Sequence, residues 1–238
     1  MKVAVVGYGR MGREVEVVLR ERGHQPAVAR RGDAFPADCP VGIDFTTAGT
    51  VPANVDAAMT AGARYVVGTT GWIDRLEDVR IRVQEAQGGF VHAANFSLGV
   101  NLFYRVVREA AALLARFPDY DPYVLERHHR LKKDAPSGTA RVLTAIVEAS
   151  TGRPAATSLA GALPEKAFHV AALRAGGIIG DHTVGFDSGA DEILIEHRAR
   201  SRRGFALGAV LAAEWIATRS GFHEFADVID ELAQSKAL

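Results

Sequence analysis

Between Glu126 and Ala140 the chain reads ERHHRLKKDAPSGTA, gathering several kinds of reactive group into fifteen residues. Two imidazoles, His128 and His129, precede two ammonium groups, Lys132 and Lys133. The run Asp134-Ala-Pro-Ser-Gly-Thr139 then leads into an apolar-periodic helix over Thr139–Thr151. A metal site, a phosphate site and an acid/base site are each conceivable. Adjacent histidines on a strand point to opposite faces, no HExxH or paired-cysteine spacing exists, and the one cysteine is the distant Cys39. No metal site is therefore expected. A helix start, by contrast, presents unpaired N–H groups and partial positive charge, which suits a carboxylate near Ser137, Gly138 and Thr139. A histidine with an ordinary pKa near 6.5 and a lysine beside it can deliver protons. The segment fits a small carboxylate-bearing substrate that must also receive a proton.

A second chemical feature lies at the amino end. GYGRMG, from Gly7 through Tyr8, Gly9, Arg10 and Met11 to Gly12, matches G-x-G-x-x-G directly after a β-branched run. The first glycine allows the turn, the second lets backbone approach a pyrophosphate, and the third lets helix pack on strand. The fingerprint usually expects an acid about 20 residues on for a ribose hydroxyl. Here that place holds Arg30 and Arg31, with no acid before Asp33. Two guanidinium groups there suit a 2′-phosphate, so NADPH is expected to serve at least as well as NADH, unless both are simply solvated. Further strand-end loops would line the same crevice: Asp44-Phe45-Thr46, Gly68-Thr69-Thr70-Gly71, and Ala93-Ala94-Asn95-Phe96-Ser97.

These residues need elements to position them. Strands are expected at Lys2–Val6, Gln25–Ala29, Val41–Phe45, Tyr65–Val67 and Phe90–Ala93, with helices over Arg13–Arg22, Val51–Ala61 and Ile73–Gln87 between them. Strand–helix alternation over about 95 residues argues for an α/β, Rossmann-like, doubly wound parallel sheet. Beyond it, a helix over Val100–Arg116 and a strand at Tyr123–Arg127 lead to the histidine segment. FHVAALRA, DHTVGFDS and DEILIEHRARS then read as antiparallel strands of an α+β domain with an open mixed or antiparallel sheet, before helices at Phe205–Arg219 and Phe222–Leu232. The expected division is a dinucleotide-binding domain over 1–96, completed by 205–238, and a substrate-binding and oligomerisation domain over 97–204.

Composition narrows the class. Lysine plus arginine and aspartate plus glutamate each number 28, so no global field points to nucleic acid or an anionic membrane. A single cysteine rules out an internal disulfide framework and suits a reducing cytoplasm. No apolar run approaches the roughly 18 residues of a membrane helix.

The segment ERHHRLKKDAPSGTA closely resembles the E-x-H-H-x-x-K-x-D-A-P-S-G-T-A signature of the dihydrodipicolinate reductases. GYGRMG, IDFT, GTTGW, AANFSLGVN and RAGGIIGDHTVGF occur in that family's order around it. The resemblance implies NAD(P)H-dependent reduction of a small cyclic dicarboxylate in lysine biosynthesis, by a cytoplasmic homotetramer paired through the second domain's sheet. It implies His128 as proton donor/acceptor and Lys132 as second proton donor. It also implies that His129 and the Gly138–Thr139 backbone hold substrate carboxylates, with Gly7–Gly12, Gly68–Thr70 and Ala93–Phe96 at the cofactor. Two departures stand out. Arg30 replaces an often acidic residue, and Lys133 directly follows Lys132, so that Lys133 could share anion binding.

Overall fold

The β-branched run at the amino end forms β1 (Lys2–Val6), a buried inner strand of a parallel sheet. The computed structural model describes residues 1–157 and 162–234. After β1 come α1 (Arg10–Glu21), β2 (Gln25–Ala29), β3 (Val41–Asp44), α2 (Val51–Thr60), β4 (Arg64–Val67), α3 (Leu76–Glu85) and β5 (Gly89–His92). The chain continues with α4 (Leu98–Leu114), β6 (Asp121–His128), α5 (Gly138–Thr151), β7 (Ala155–Ala156), β8 (Phe168–Arg174), β9 (Asp181–Asp187) and β10 (Glu192–Arg198). It closes with α6 (Arg203–Ile216), β11 (Gly221–Glu224) and α7 (Phe225–Gln234). Two compact units result: Met1–Leu98 together with the segment from Arg202 onward, and Gly99–Ser201.

In the first unit the strand order is β11-β5-β4-β3-β1-β2, and every neighbouring pair is parallel. Helical crossovers cover both faces, so Val3, Val5, Ile43, Val66 and Val91 are fully or almost fully buried. The chain leaves β1 toward β2 on one side and β3 on the other. That reversal of winding opens a crevice at the carboxyl ends of these strands, where ligands of such sheets bind. Pro26 is tolerated because β2 is an edge strand. The returning α6 packs so closely that a Cβ on Gly208 would fall 1.8 Å from the Phe96 carbonyl oxygen. It thereby braces the loop after β5.

The segment read as one helix over Phe222–Leu232 divides. Gly221 takes a φ of +109°, and Gly221–Glu224 becomes a sixth parallel strand beside Gly89–His92 before α7 begins. The aromatic side chains explain the change, since Phe222 stacks on Phe90 at 4.7 Å between ring centroids. At the start of the helix expected over Ile73–Gln87, Ile73–Arg75 forms a short 3-10 turn that runs directly into α3.

The second unit holds a five-stranded sheet in the order β10-β9-β6-β8-β7. The reading of its late strands as antiparallel holds for β9 on β6 and β10 on β9 but not for β8, which lies parallel to β6. Physically, α5 is the crossover: β6–α5–β8 is a β-α-β unit, and such a connection delivers its second strand parallel to the first. Alternate residues of β6, Val124, Glu126 and His128, face the buried side. There Phe103, Val107, Leu143, Val147, Phe168 and Val184 form the core.

Candidate active site

Strand register assembles a cluster at the end of β6. Glu126 and His128 are two apart and so share a face, while antiparallel pairing sets His182 of β9 directly opposite Glu126. Parallel pairing sets Arg174 of β8 opposite His128. The Glu126 carboxylate is fully buried. Its Oε1 accepts from the Arg174 guanidinium at 2.8 Å and from the Ser137 backbone N–H at 3.0 Å. Burial pushes this carboxyl upward, but the hydrogen bonds from Ser137 and Arg174 outweigh it and hold the group below its ordinary range.

His128 is 7% exposed. Its Nδ1 lies 3.1 Å from Glu126 Oε2, within ion-pair distance though off the line of an N–H···O bond. Its ring meets that of His182 edge-on at 5.1 Å. Burial lowers the His128 pKa, against the opposing pull of Glu126. His182 is driven further, to about 4, by burial and then by His128. His182 Nε2 lies 3.2 Å from Ser137 Oγ, and that oxygen also accepts the Ala140 N–H as the cap of α5. Ligand-type atoms of Glu126, His128 and His182 come within 4.8 Å of one another, a grouping that no sequence spacing announced. The charge answering the carboxylate is the Arg174 guanidinium.

The remaining residues of the segment surround this cluster. His129 and Thr139 are half-buried, while Lys133 and Gly138 are exposed. Lys132 Nζ is held by Asp134 at 2.8 Å, which keeps the Asp134 carboxyl below its ordinary range. Ser137, expected among the substrate contacts, turns its side chain inward at 2% exposure, leaving the exposed Gly138 at the start of α5 to face solvent.

In the first unit the glycine loop behaves as the fingerprint requires. Gly7 has a φ of +87°. A Cβ on Gly12 would sit 2.0 Å from the Gly7 carbonyl oxygen, whereas a Cβ on Gly9 would meet nothing within 4 Å. No contact within the described protein therefore demands a glycine at position 9, which suits backbone approach by an external group. A cavity of about 560 Å³ lies beside it, lined by Gly7, Tyr8, Arg30, Arg31, Phe45 and Thr46 among others. The Arg30 guanidinium rests over the Tyr8 ring, 5.3 Å from its centroid. A second cavity of about 390 Å³ is lined by Gly9, Arg10, Met11, Thr46, Gly68, Thr69, Thr70 and also Arg202.

The loops between these cavities hang on Asp44, which is fully buried. Its Oδ1 accepts from the Thr46 backbone N–H, the Thr46 hydroxyl and the Thr69 hydroxyl, and its Oδ2 from Asn54 and the Tyr65 hydroxyl. The Thr69 hydroxyl is thus committed inside the protein. Phe96 is 1% exposed and packs on Phe45 and Phe225, so its side chain belongs to the core. Ala94 is exposed, while Ala93 and Asn95 are half-buried in the loop after β5. These sites fit a dinucleotide through the loop, the open face of Gly9 and the two guanidinium groups. Sequence reasoning gave no role to Glu126, Arg174, His182 or Arg202, and it placed Asp44 only as part of a strand-end loop. The signal for His182 and Arg174 was present in RAGGIIGDHTVGF, but no local spacing ties that stretch to Glu126.

Comparison with known proteins bears on both units. Residues 21–96 match the family described as dihydrodipicolinate reductase, N-terminus, and residues 99–229 match dihydrodipicolinate reductase, C-terminus. The 4-hydroxy-tetrahydrodipicolinate reductase of Christiangramia forsetii is 34% identical over 237 residues, covering 98% of this chain and 99% of that one. The enzyme of the same name from Methanosarcina barkeri is 42% identical over 191 residues, covering 79% and 72%. Among solved structures, the dipicolinate-bound dihydrodipicolinate reductase of Paenisporosarcina sp. TG-14 superposes with a TM-score of 0.77 at 22% identity. It covers 95% of this chain and 98% of that one, a likeness of fold. The diaminopimelate dehydrogenase of C. glutamicum is more distant, with a TM-score of 0.53 and 13% identity over 99% of each chain.

Proposed function

The chain belongs to the dihydrodipicolinate reductase family, and we propose that the residues above divide that family's chemistry between its two units. The reaction is the NAD(P)H-dependent reduction of 4-hydroxy-tetrahydrodipicolinate to tetrahydrodipicolinate, with loss of water, in the diaminopimelate route of lysine biosynthesis. When bound, the dinucleotide supplies the hydride. The protein's own work is to hold two anionic ligands, orient the ring and deliver a proton.

The observation that carries this division is the Glu126 carboxylate, which binds the Ser137 N–H at the start of α5 and faces His128 with its other oxygen. It ties the proton donor to the anion-binding helix end in one rigid unit. His128 gives the proton. Lys132 exchanges its Asp134 partner for the substrate, as second proton donor and carboxylate contact, and Lys133 adds charge from an exposed position. His129 and the backbone at Gly138 and Thr139 grip the carboxylates, while Ser137 acts from behind by capping α5.

In the first unit, the loop Gly7–Gly12 takes the pyrophosphate at the start of α1. Arg30 and Arg31 take a 2′-phosphate, so NADPH serves at least as well as NADH. Phe45 and Thr46, Gly68–Thr70 and the backbone of Ala93–Phe96 line the rest of the dinucleotide's path. The enzyme works in the cytoplasm as a homotetramer paired through the second sheet, whose outer face exposes Leu173 and Leu194. A solution mass near four times 25.5 kDa tests that assembly, and a monomeric mass contradicts it.

The division of labour is tested by turnover with NADPH. His128→Ala and Lys132→Ala should each lower kcat by roughly 10²-fold, the usual loss for a general acid. Near-normal turnover in both variants contradicts it.

A further inference from the structure

Glu126 has no path to solvent, and each of its oxygens faces different partners. Oε1 is taken by Arg174 and the Ser137 N–H. Oε2 lies 3.1 Å from His128 Nδ1 and 3.7 Å from His182 Nε2. Ser137 Oγ already engages His182 Nε2. Among the described residues, neither Glu126 Oε2 nor His128 Nδ1 has any hydrogen-bond partner, so each is the natural partner of the other. The opposite edge of the His128 ring runs along Gly180, where an added Cβ would stand 3.0 Å from Nε2. The ring is thus bounded by the carboxylate at Nδ1, by His182 edge-on, and by a glycine at Nε2.

Resting on the assignment of His128 as proton donor, we propose that Glu126 is its positioning residue, fixing the Nδ1–H tautomer and steadying the imidazolium so that only Nε2 exchanges a proton with substrate. A carboxylate can only accept, so the ring nitrogen facing it carries hydrogen whether His128 is neutral or charged. The Arg174 guanidinium and the Ser137 N–H keep that carboxylate ionised. The same contacts make one residue responsible for both the aim of the acid and the seat of α5.

The charged and titratable groups facing His128 are Glu126 from β6, Arg174 from β8, His182 from β9, and Lys132 and Asp134 from the following loop. Of these, Glu126 and Asp134 favour the imidazolium, while Lys132 and Arg174 oppose it together with burial. Replacing the carboxylate by an amide removes the larger favourable influence, so the ring gives up its proton at lower pH. Turnover needs the imidazolium, and the alkaline limb of the pH profile must therefore move to lower pH.

The test is Glu126→Gln, which keeps an oxygen for Ser137 and Arg174 but offers His128 an N–H. We expect kcat to fall at least tenfold, KM for substrate and NADPH to stay within about threefold, and the alkaline limb to drop by about one pH unit. Independently of activity, 15N NMR of histidine-labelled protein should show neutral His128 as the Nδ1–H tautomer, switching to Nε2–H in Glu126→Gln. In a His128→Ala background, Glu126→Gln should cost nothing further. An unchanged pH limb, an unchanged tautomer, or a full additional loss in that background overturns the proposal. Near-normal turnover of His128→Ala alone instead removes the underlying role of His128, and the inference falls with it.

Discussion

At the scale of single residues, the chemistry depends on side chains whose properties are set by neighbours that sequence order does not reveal. His128, His129, Lys132 and the SGT turn could be read as a group because they adjoin one another in the chain. Arg174 and His182 could not, because strand register brings them opposite His128 and Glu126, and Glu126 joins the group only because alternate residues of β6 share its buried face. Two expectations belong here. Arg30 and Arg31 border the larger cavity with exposed guanidinium groups, so Arg30→Ala/Arg31→Ala should raise the KM for NADPH at least tenfold and change that for NADH far less. Parallel steady-state titrations check this, and equal changes for both cofactors contradict it. His182 is held neutral in the fold, with a pKa near 4 against 6.5 when unfolded. Its depressed value means that stability is fully present above pH 6.5 and is lost as pH falls toward 4, by about 3 kcal/mol. His128 is shifted in the same direction and adds to the slope. Urea unfolding of His182→Gln should show a shallower loss between pH 7 and pH 4.5 than the parent chain, and an identical slope contradicts the assignment.

Elements decide where those residues stand. The strand–loop–helix of β1 and α1 was legible because its three glycines have separate physical reasons. Gly12 is demanded by packing inside the protein, whereas no contact among the described residues demands a glycine at position 9. Gly12→Ala should therefore destabilise the fold by roughly 1–3 kcal/mol, the cost of overpacking. Gly9→Ala should melt within about 1 °C of the parent yet bind NADPH at least tenfold more weakly. Calorimetric melting with a binding titration separates the two, and matching behaviour of both variants contradicts the account. Other elements were misread for identifiable reasons. The amphipathic stretch after Gly221 satisfies a helical pattern, but Phe222 stacks on Phe90 and draws Gly221–Glu224 into the sheet. The late strands alternate as antiparallel strands do. The fact that β8 runs parallel to β6 follows only from the crossover helix α5 between them. Periodicity reports the face an element buries; it does not report its neighbour.

For the whole molecule, the chain forms a parallel-sheet unit and a mixed-sheet unit, to each of which the proposed function gives one half of a reduction. The alternation of strands and helices up to Asn95 made the first visible early, since every crossover leaves a helical pattern between apolar runs. The return of the chain through α6, β11 and α7 was anticipated as terminal helices, without the strand that extends the sheet. Asp44, which ties Thr46, Thr69, Asn54 and Tyr65 together, shows why so much of a site escapes sequence reading: its five donors come from three separate stretches of chain. No helix among the described residues is long and apolar enough to cross a membrane. The central claim is that this chain reduces a cyclic dicarboxylate with NAD(P)H, and the direct measurement is the fall in NADPH absorbance with purified protein and freshly formed 4-hydroxy-tetrahydrodipicolinate. The expected result is rapid oxidation in one-to-one proportion with tetrahydrodipicolinate formed. Absence of oxidation with both NADPH and NADH, from folded protein that binds the dinucleotide, would contradict it.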